Sequence, residues 1–337
     1  MSLGANDQGK RVALDIPLGE TAGGLGAARN LRIVKEGRTY FAVVTFRRSM
    51  PAPKPIRSAV GLDPNHKNFA YGVGTDGKAF EIQNLAGRRD QEKRIDKLKS
   101  KRDRCTRKSR AVQVVREDES VGQHWEPSRR WNKYDQAIQR AALKMRDQTK
   151  HFLFAIANRL CRDYDLIGVG DYAPGQGDVG LGKKTNRAMR NRSLLGRFKP
   201  ILLWVARRSG KSAEVFGTTR TCSEPGCGHS VAGGIPRDIR EWTCGRCRTT
   251  HLRDENAAKN GLARMLRARS LHLPCSGPVQ GRCDWCFHPQ GWREAVHKAG
   301  ANANQTGCPG STGPAEEAIA NGPLCGVIAP DPRPAQV

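Results

Sequence analysis

The sequence predicts an α/β fold, and three observations carry that expectation. Short apolar runs of strand length recur, among them AVGLD at residues 59–63 and DLIGVG at residues 165–170. Other, longer stretches return an apolar residue every three, four or seven positions, the period of one helix face. Turn-forming residues mark boundaries, as at Thr75, Asp76 and Gly77. Strands alternating with helices in this manner pack as a sheet covered by helices.

Taken in order, residues 1–30 are Gly-rich and weakly patterned, and residues 31–46 (LRIVKEGRTYFAVVTF) place two β-rich runs around Glu36 and Gly37, a hairpin signature. Pro51, Pro53 and Pro55 make a stiff linker. Residues 59–63 read as a buried strand ending on Asp63, followed by strands at 69–73 and 78–82. Residues 88–110 are crowded with Lys and Arg, as in either a solvated helix face or a helix that faces phosphate, the second preferred because basic residues outnumber acids. After Glu126 and Pro127, a stripe of Tyr134, Ile138, Ala141, Met145, Phe152, Ile156 and Leu160 predicts a second helix whose apolar face is packing, not chemistry. A strand at 165–170 ends before Asp171, and residues 181–197 read as a basic loop. Residues 198–209 are helical, 213–216 form a short strand, and 254–269 form an amphipathic helix with Ala257, Ala258, Leu262, Met265 and Leu266 inward. The expected domains are a partial N-terminal β unit (1–57), a main domain (58–270) with a helical insert (86–163) and a ribbon (218–250), and a Cys-containing tail (271–337), disordered beyond about residue 290.

The chain has 337 residues and a formal net charge of +26, which points to a polyanionic partner, nucleic acid first. No run approaches the ~20 apolar residues of a membrane-spanning helix. The N-terminus MSLGANDQGKR has no apolar signal region, so secretion is not expected; the expected setting is the cytoplasm, in association with the nucleoid if the host is a prokaryote, with no membrane partner. Eleven cysteines in a reducing compartment suggest metal rather than disulfides.

Four of them sit in two close pairs, Cys222 with Cys227 and Cys244 with Cys247, sixteen residues apart. Paired thiolates of this spacing, with Gly and Pro in the short loops, suit tetrahedral Zn²⁺ in a zinc ribbon, although the first pair is C-x4-C rather than C-x2-C. Cys283 and Cys286, with His288 nearby, resemble half of a second site, a C-x2-C pattern that by itself is weak evidence. Cys105 and Cys161 sit in helical context and read as ordinary.

Seven residues beyond Cys247 stands Asp254, at a helix start. Phosphodiester-cleaving nucleases hold divalent ions between carboxylates from separate elements, one ion activating water and the other stabilising the leaving oxygen. In an RNase H-like fold the first Asp lies on the first strand and the last on a C-terminal helix. Asp63 and Asp254 fit those positions. Taken singly, Asp63-Pro64-Asn65 also reads as a turn and Asp254 as a helix cap. His66 is expected to shape the turn after Asp63.

GLDPNHKNFAYGVGTDGK, the CSEPGC and CGRC pairs, and HLRDENAAKNGL together resemble the RuvC-like nuclease of TnpB (OrfB) proteins of insertion sequences, relatives of type V CRISPR effectors and Fanzor proteins. The resemblance covers roughly residues 30–270. It implies an RNase H-like (RuvC) domain and an RNA-guided, Mg²⁺- or Mn²⁺-dependent DNA endonuclease with guide RNA and target DNA as partners. Asp63 is then the first catalytic Asp and Asp254 the last. The middle acid departs from the family pattern, because Gly170 stands where a Glu is usual. Asp171, one residue displaced, and Glu214, on the strand before the ribbon as in Fanzor proteins, are the two replacements. Glu214 is preferred, since one residue of displacement turns Asp171 to the opposite face. Only about 58 residues precede the first strand of the nuclease domain, and the 31–46 hairpin resembles the last part of the family's β-barrel. Competing readings are a cleavage-dead RNA-guided DNA binder, an unguided zinc-ribbon nucleic-acid binder and, more weakly, a strand-transfer transposase.

Overall fold

The structure is a computed structural model. It describes residues 2–5, 8–9, 11–13, 28–36, 39–47, 49–65, 68–115, 120–171, 194–217, 220–232, 234–235, 239–273, 281–288 and 291–296. The basic 181–193 stretch, His66 and everything after 296 lie outside these residues.

The chain divides into two units, with Met50 ending the first and Pro51 opening the second. The first holds two antiparallel hairpins, β1 (Ser2–Ala5) with β2 (Arg11–Ala13), and β3 (Ala28–Glu36) with β4 (Thr39–Phe46). Glu36 pairs with Thr39, so the two strands flank the expected turn, whose Gly37 lies outside the described residues.

The second unit is built on a sheet that starts as a meander: β5 (Ala59–Pro64), β6 (Ala70–Gly74) and β7 (Lys78–Ile82), successively antiparallel. Gly77, at a φ of 74°, supplies the left-handed residue that the β6–β7 turn needs. The chain then leaves the sheet through α1 (Arg88–Arg104), the hairpin β8 (Arg110–Val115) and β9 (Val121–Glu126), and α2 (Arg129–Asp163). The insert expected at 86–163 is thus not wholly helical. The β-branched Val112, Val114, Val115 and Val121 sit in paired strands there, and sequence pattern did not separate them from the helices on either side. Ser128 caps α2 by accepting from Trp131 N–H at 3.2 Å.

β10 (Leu166–Gly170) returns beside β5, parallel to it; α3 (Leu195–Arg208) follows, and β11 (Ser212–Phe216) pairs parallel with β10. The ribbon contributes β12 (Glu241–Thr243) and β13 (Thr250–Leu252), and leads directly into α4 (Arg253–Ala268). β14 (Gly281–His288) then pairs parallel with β7, and β15 (Gly291–Val296) antiparallel with β14. The full order is β11-β10-β5-β6-β7-β14-β15. Residues 281–296, expected in a tail, therefore belong to the sheet. The physical reason is local: Trp285 stacks on Phe80 with ring centroids 3.9 Å apart, and the Arg159 guanidinium covers Trp285 at 3.7 Å. The average composition of the C-terminal 67 residues hid this short aromatic segment.

Alternation along β5 divides the sheet's two faces. Val60 and Leu62 join Ile167, Val169, Phe152, Ile156, Leu160, Phe198 and Leu202 in the main core, under α2 and α3. Ala59 meets Leu262, Met265 and Leu266 of α4 on the other side. Gly61 brings α4 close: a Cβ there would stand 2.4 Å from the Ala258 carbonyl oxygen. This close approach seats the start of α4 over the end of β5. Among the described residues no helix is long and apolar enough to cross a membrane.

Candidate active site and metal centre

Asp63, 9% exposed, stands near the end of β5, on the side of the sheet that α4 covers. Asp254 sits one residue into α4, whose N-cap is Leu252, so it is not the cap residue. Its carboxylate accepts from Asn65 Nδ2 at 3.0 Å and from the Arg240 guanidinium at 2.7 Å. Asn65 also turns the chain, its Oδ1 accepting from Asn68 N–H at 2.9 Å. The Asp63-Pro64-Asn65 segment is thus both a turn and a contact to Asp254. The Asp63 carboxyl is pushed up to about 7, first by burial and then by the Asp254 carboxylate, while Arg253 and Arg240 pull it down.

The remainder of the first turn of α4 is held as firmly. Glu255, 8% exposed, accepts from Tyr71 Oη at 3.1 Å and from Arg282 of β14 at 2.8 Å, and pairs with Lys259 at 3.0 Å. With three donors already on it, Glu255 is compensated, and it anchors the helix to β6 and β14. A buried carboxyl whose charge is opposed by burial and by a neighbouring, partly buried carboxylate suits a divalent cation such as Mg²⁺, which binds through one or two carboxylates and keeps several waters.

The structure does not bring either middle-acid candidate to this pair. In the strand register, Glu214 lies level with Gly168 and Gly61, two residues short of Asp63. Its carboxylate is ion-paired with Arg269, at the C-terminal end of α4. Asp254 is at the other end of that 16-residue helix, about 24 Å long at 1.5 Å per residue. Asp171 points to the opposite side of the sheet, where Lys199 of α3 binds its Oδ1 at 2.9 Å. Sequence order alone did not reveal the register that separates Glu214 from Asp63. Among the described residues no third carboxylate joins Asp63 and Asp254.

Cys222, Cys227, Cys244 and Cys247 converge, with all four Sγ atoms within 4.8 Å of one another. The Cys222–Cys247 and Cys227–Cys244 separations are 3.6 and 3.7 Å. Zn–S bonds of about 2.3 Å in a regular tetrahedron call for sulfurs about 3.8 Å apart, so the cluster fits Zn²⁺. His251 Nε2 lies 3.0 Å from Cys222 Sγ, and its ring packs on Trp242, with centroids 5.0 Å apart. A contact of this kind would help to orient the Cys222 thiolate on a metal bound there. Cys283 and Cys286, three apart on β14, fall on opposite faces and do not form a shared site. Among the described residues the four-cysteine group is the only cluster of this kind.

Sequence reasoning missed Asn65, Arg240, His251, Glu255, Asn256 and Asn260. The last two left a faint signal: asparagines four residues apart, on one face of a helix whose inward residues after Glu255 are otherwise apolar or glycine. α1 exposes most of its Lys and Arg and buries Ile95 alone.

Residues 196–261 match the family model described as "Cas12f1-like, TNB domain", which spans α3, β11, the ribbon and the first part of α4. No curated protein matches. Among solved structures, one described as "Cryo-EM structure of CRISPR-Cas12f Ternary Complex" aligns at a TM-score of 0.40 and 12% identity, over 66% of this chain and 41% of that one. Another, described as "Structure of the mini-RNA-guided endonuclease CRISPR-Cas_phi3", aligns at 0.36 and 14%, over 66% and 46%. The chain thus spans less than half the length of either.

Proposed function

We propose that this chain is the RuvC-like, RNase H-like nuclease of an RNA-guided DNA endonuclease of the TnpB type, associated with a transposable element and working in the cytoplasm, on the nucleoid where the host is a prokaryote. The observation that carries the reading is the approach of the start of α4 to the end of β5, where Asn65, two residues after Asp63, hydrogen-bonds Asp254 and the Asp254 charge raises the Asp63 carboxyl, with the four-cysteine ribbon directly before α4. An antiparallel three-strand meander followed by two parallel strands on its β5 side supports the same fold assignment. The family match over residues 196–261 supports the ribbon's kinship.

Asp63 and Asp254 would hold Mg²⁺ or Mn²⁺, which supplies an activated water for phosphodiester hydrolysis. The protein's own part is positional. Asn65 and Arg240 aim Asp254, and Tyr71 and Arg282 fix the helix turn that carries it. The side chain of Arg240, 48% exposed, places a cation where a target phosphate would arrive. The ribbon cysteines would hold Zn²⁺. Guide RNA and target DNA are the partners, and the basic α1 is the surface offered to their backbones.

A second reading, a cleavage-dead RNA-guided DNA binder, is favoured by one observation: Glu214 and Asp171 both lie away from the carboxylate pair. One experiment separates the two. The chain is expressed with its native flanking DNA, the co-purifying RNA is sequenced, and a plasmid carrying the matched target is incubated with Mg²⁺. Cutting that Asp63→Asn and Asp254→Asn abolish establishes the endonuclease. Sequence-specific binding without a Mg²⁺-dependent product refutes it.

A further inference from the structure

The four-cysteine knuckle is tied to helix α4 at more points than chain continuity requires. Asn256, two residues after Asp254 and 3% exposed, grips the backbone on both sides of Cys222. Its Oδ1 accepts from Ser223 N–H at 2.8 Å, and its Nδ2 donates to the Thr221 carbonyl at 2.9 Å. One turn further on, Asn260 donates to the same carbonyl at 2.6 Å. Asparagine carries one donor group and one acceptor on a single planar amide, so it alone serves both backbone groups at this reach; aspartate retains only the acceptor. Helix propensity does not explain the choice, because asparagine is a poor interior helix residue.

The second knuckle has a separate line to the same turn. Cys244 and Cys247 lie on the loop that joins β12 to β13. At the base of that hairpin, Arg253 N–H donates to the Arg240 carbonyl at 2.7 Å, and the Arg240 side chain reaches Asp254 at 2.7 Å. His251 links the two lines, since it pairs with Trp242 across the hairpin and touches Cys222 Sγ. Sixteen residues separate Cys227 from Cys244, so a metal on the four thiolates closes what is otherwise a long loop.

We propose that Asn256 is a positioning residue through which metal on Cys222, Cys227, Cys244 and Cys247 holds Asp254 in place over the end of β5. Its consequence for catalysis rests on the reading of Asp63 and Asp254 as divalent-cation ligands. The coupling itself concerns the ribbon and the helix.

The test uses the full chain loaded with Zn²⁺, or with Co²⁺ where a visible spectrum is needed. Hydrogen exchange is followed over residues 253–262 and over β5–β7, and Mn²⁺ affinity is measured by electron paramagnetic resonance, with Asp254→Asn defining the site. Stripping the ribbon metal is expected to speed exchange over 253–262 at least tenfold and to weaken Mn²⁺ binding about tenfold, with β5–β7 unchanged and recovery on reloading. Asn256→Ala should reproduce both effects while the cobalt spectrum still reports four thiolates. Asn256→Asp, which retains the acceptor for Ser223, should fall between. Unchanged exchange over 253–262 after stripping overturns the proposal. So does wild-type exchange in Asn256→Ala, or a cobalt spectrum without four thiolates. If exchange responds but no Asp254-dependent Mn²⁺ site or guided cutting exists, the coupling stands and the endonuclease reading fails.

Discussion

Replacing Asp63 with Asn should make the Mg²⁺-free protein more stable, and the size of the gain follows from the site. The Asp63 carboxyl is raised from 3.8 to about 7, by burial first and by Asp254 second. The folded state thus holds the proton more tightly than the unfolded chain, so stability from this group is lost as pH rises from about 4 to about 7. At about 1.4 kcal/mol per pH unit, folding around this group costs roughly 4 kcal/mol at pH 8, where the buried carboxyl is ionised, and about 1–2 kcal/mol at pH 5, where it must take up a proton that the unfolded chain has released. An amide of the same shape carries no charge at either pH. Asp63→Asn should therefore exceed wild type by up to about 4 kcal/mol at pH 8, with the gap narrowing by more than half at pH 5. Urea denaturation at the two pH values, in zinc-retaining buffer without Mg²⁺, reads both numbers. Adding Mg²⁺ should raise the stability of wild type and leave Asp63→Asn where it was. A variant no more stable than wild type at pH 8, or a gap independent of pH, refutes the argument that Asp63 is a buried, charge-stressed ligand.

Three further outcomes are expected. Glu214→Ala and Asp171→Ala should each leave Mn²⁺ affinity at the carboxylate pair within twofold of wild type, because their carboxylates pair with Arg269 and Lys199; isothermal titration reads this. Gly61→Ala puts a Cβ 2.4 Å from the Ala258 carbonyl oxygen, so it should displace α4, cost about 1–3 kcal/mol in denaturation and weaken Mn²⁺ binding as well. Replacing Lys93, Lys97 and Lys101 of α1 with Gln should lower nucleic-acid affinity uniformly across sequences and flatten the salt dependence by up to about 0.9 per lost phosphate contact on duplex DNA, measured by anisotropy at several salt concentrations.

Much of the sheet was legible from local pattern. The runs at 59–63, 69–73, 78–82 and 165–170 carry their own apolar content and turn residues, and all four are strands. The β8–β9 and β14–β15 hairpins were not legible, since each is a short paired segment inside a stretch whose average composition says helix or tail. Within the site, Asp63, Asp254 and the four cysteines could be named because their residue types and spacing carry chemistry. Glu214 could be named for the same reason, yet strand register sets it level with Gly61 rather than Asp63.

The sequence by itself determined which groups are available: two acids at element ends, two thiol pairs at metal-binding spacing, and a charge suited to nucleic acid. Those are properties of neighbouring residues. Tertiary structure alone decided which of them meet. Gly61 lets α4 descend onto β5, Arg240 and Asn65 converge on Asp254 from distant segments, and Asn256 grips the chain beside Cys222. Each of these contacts joins separate segments of the chain, and local pattern, even where it marks a residue such as Asn256, does not say what that residue touches.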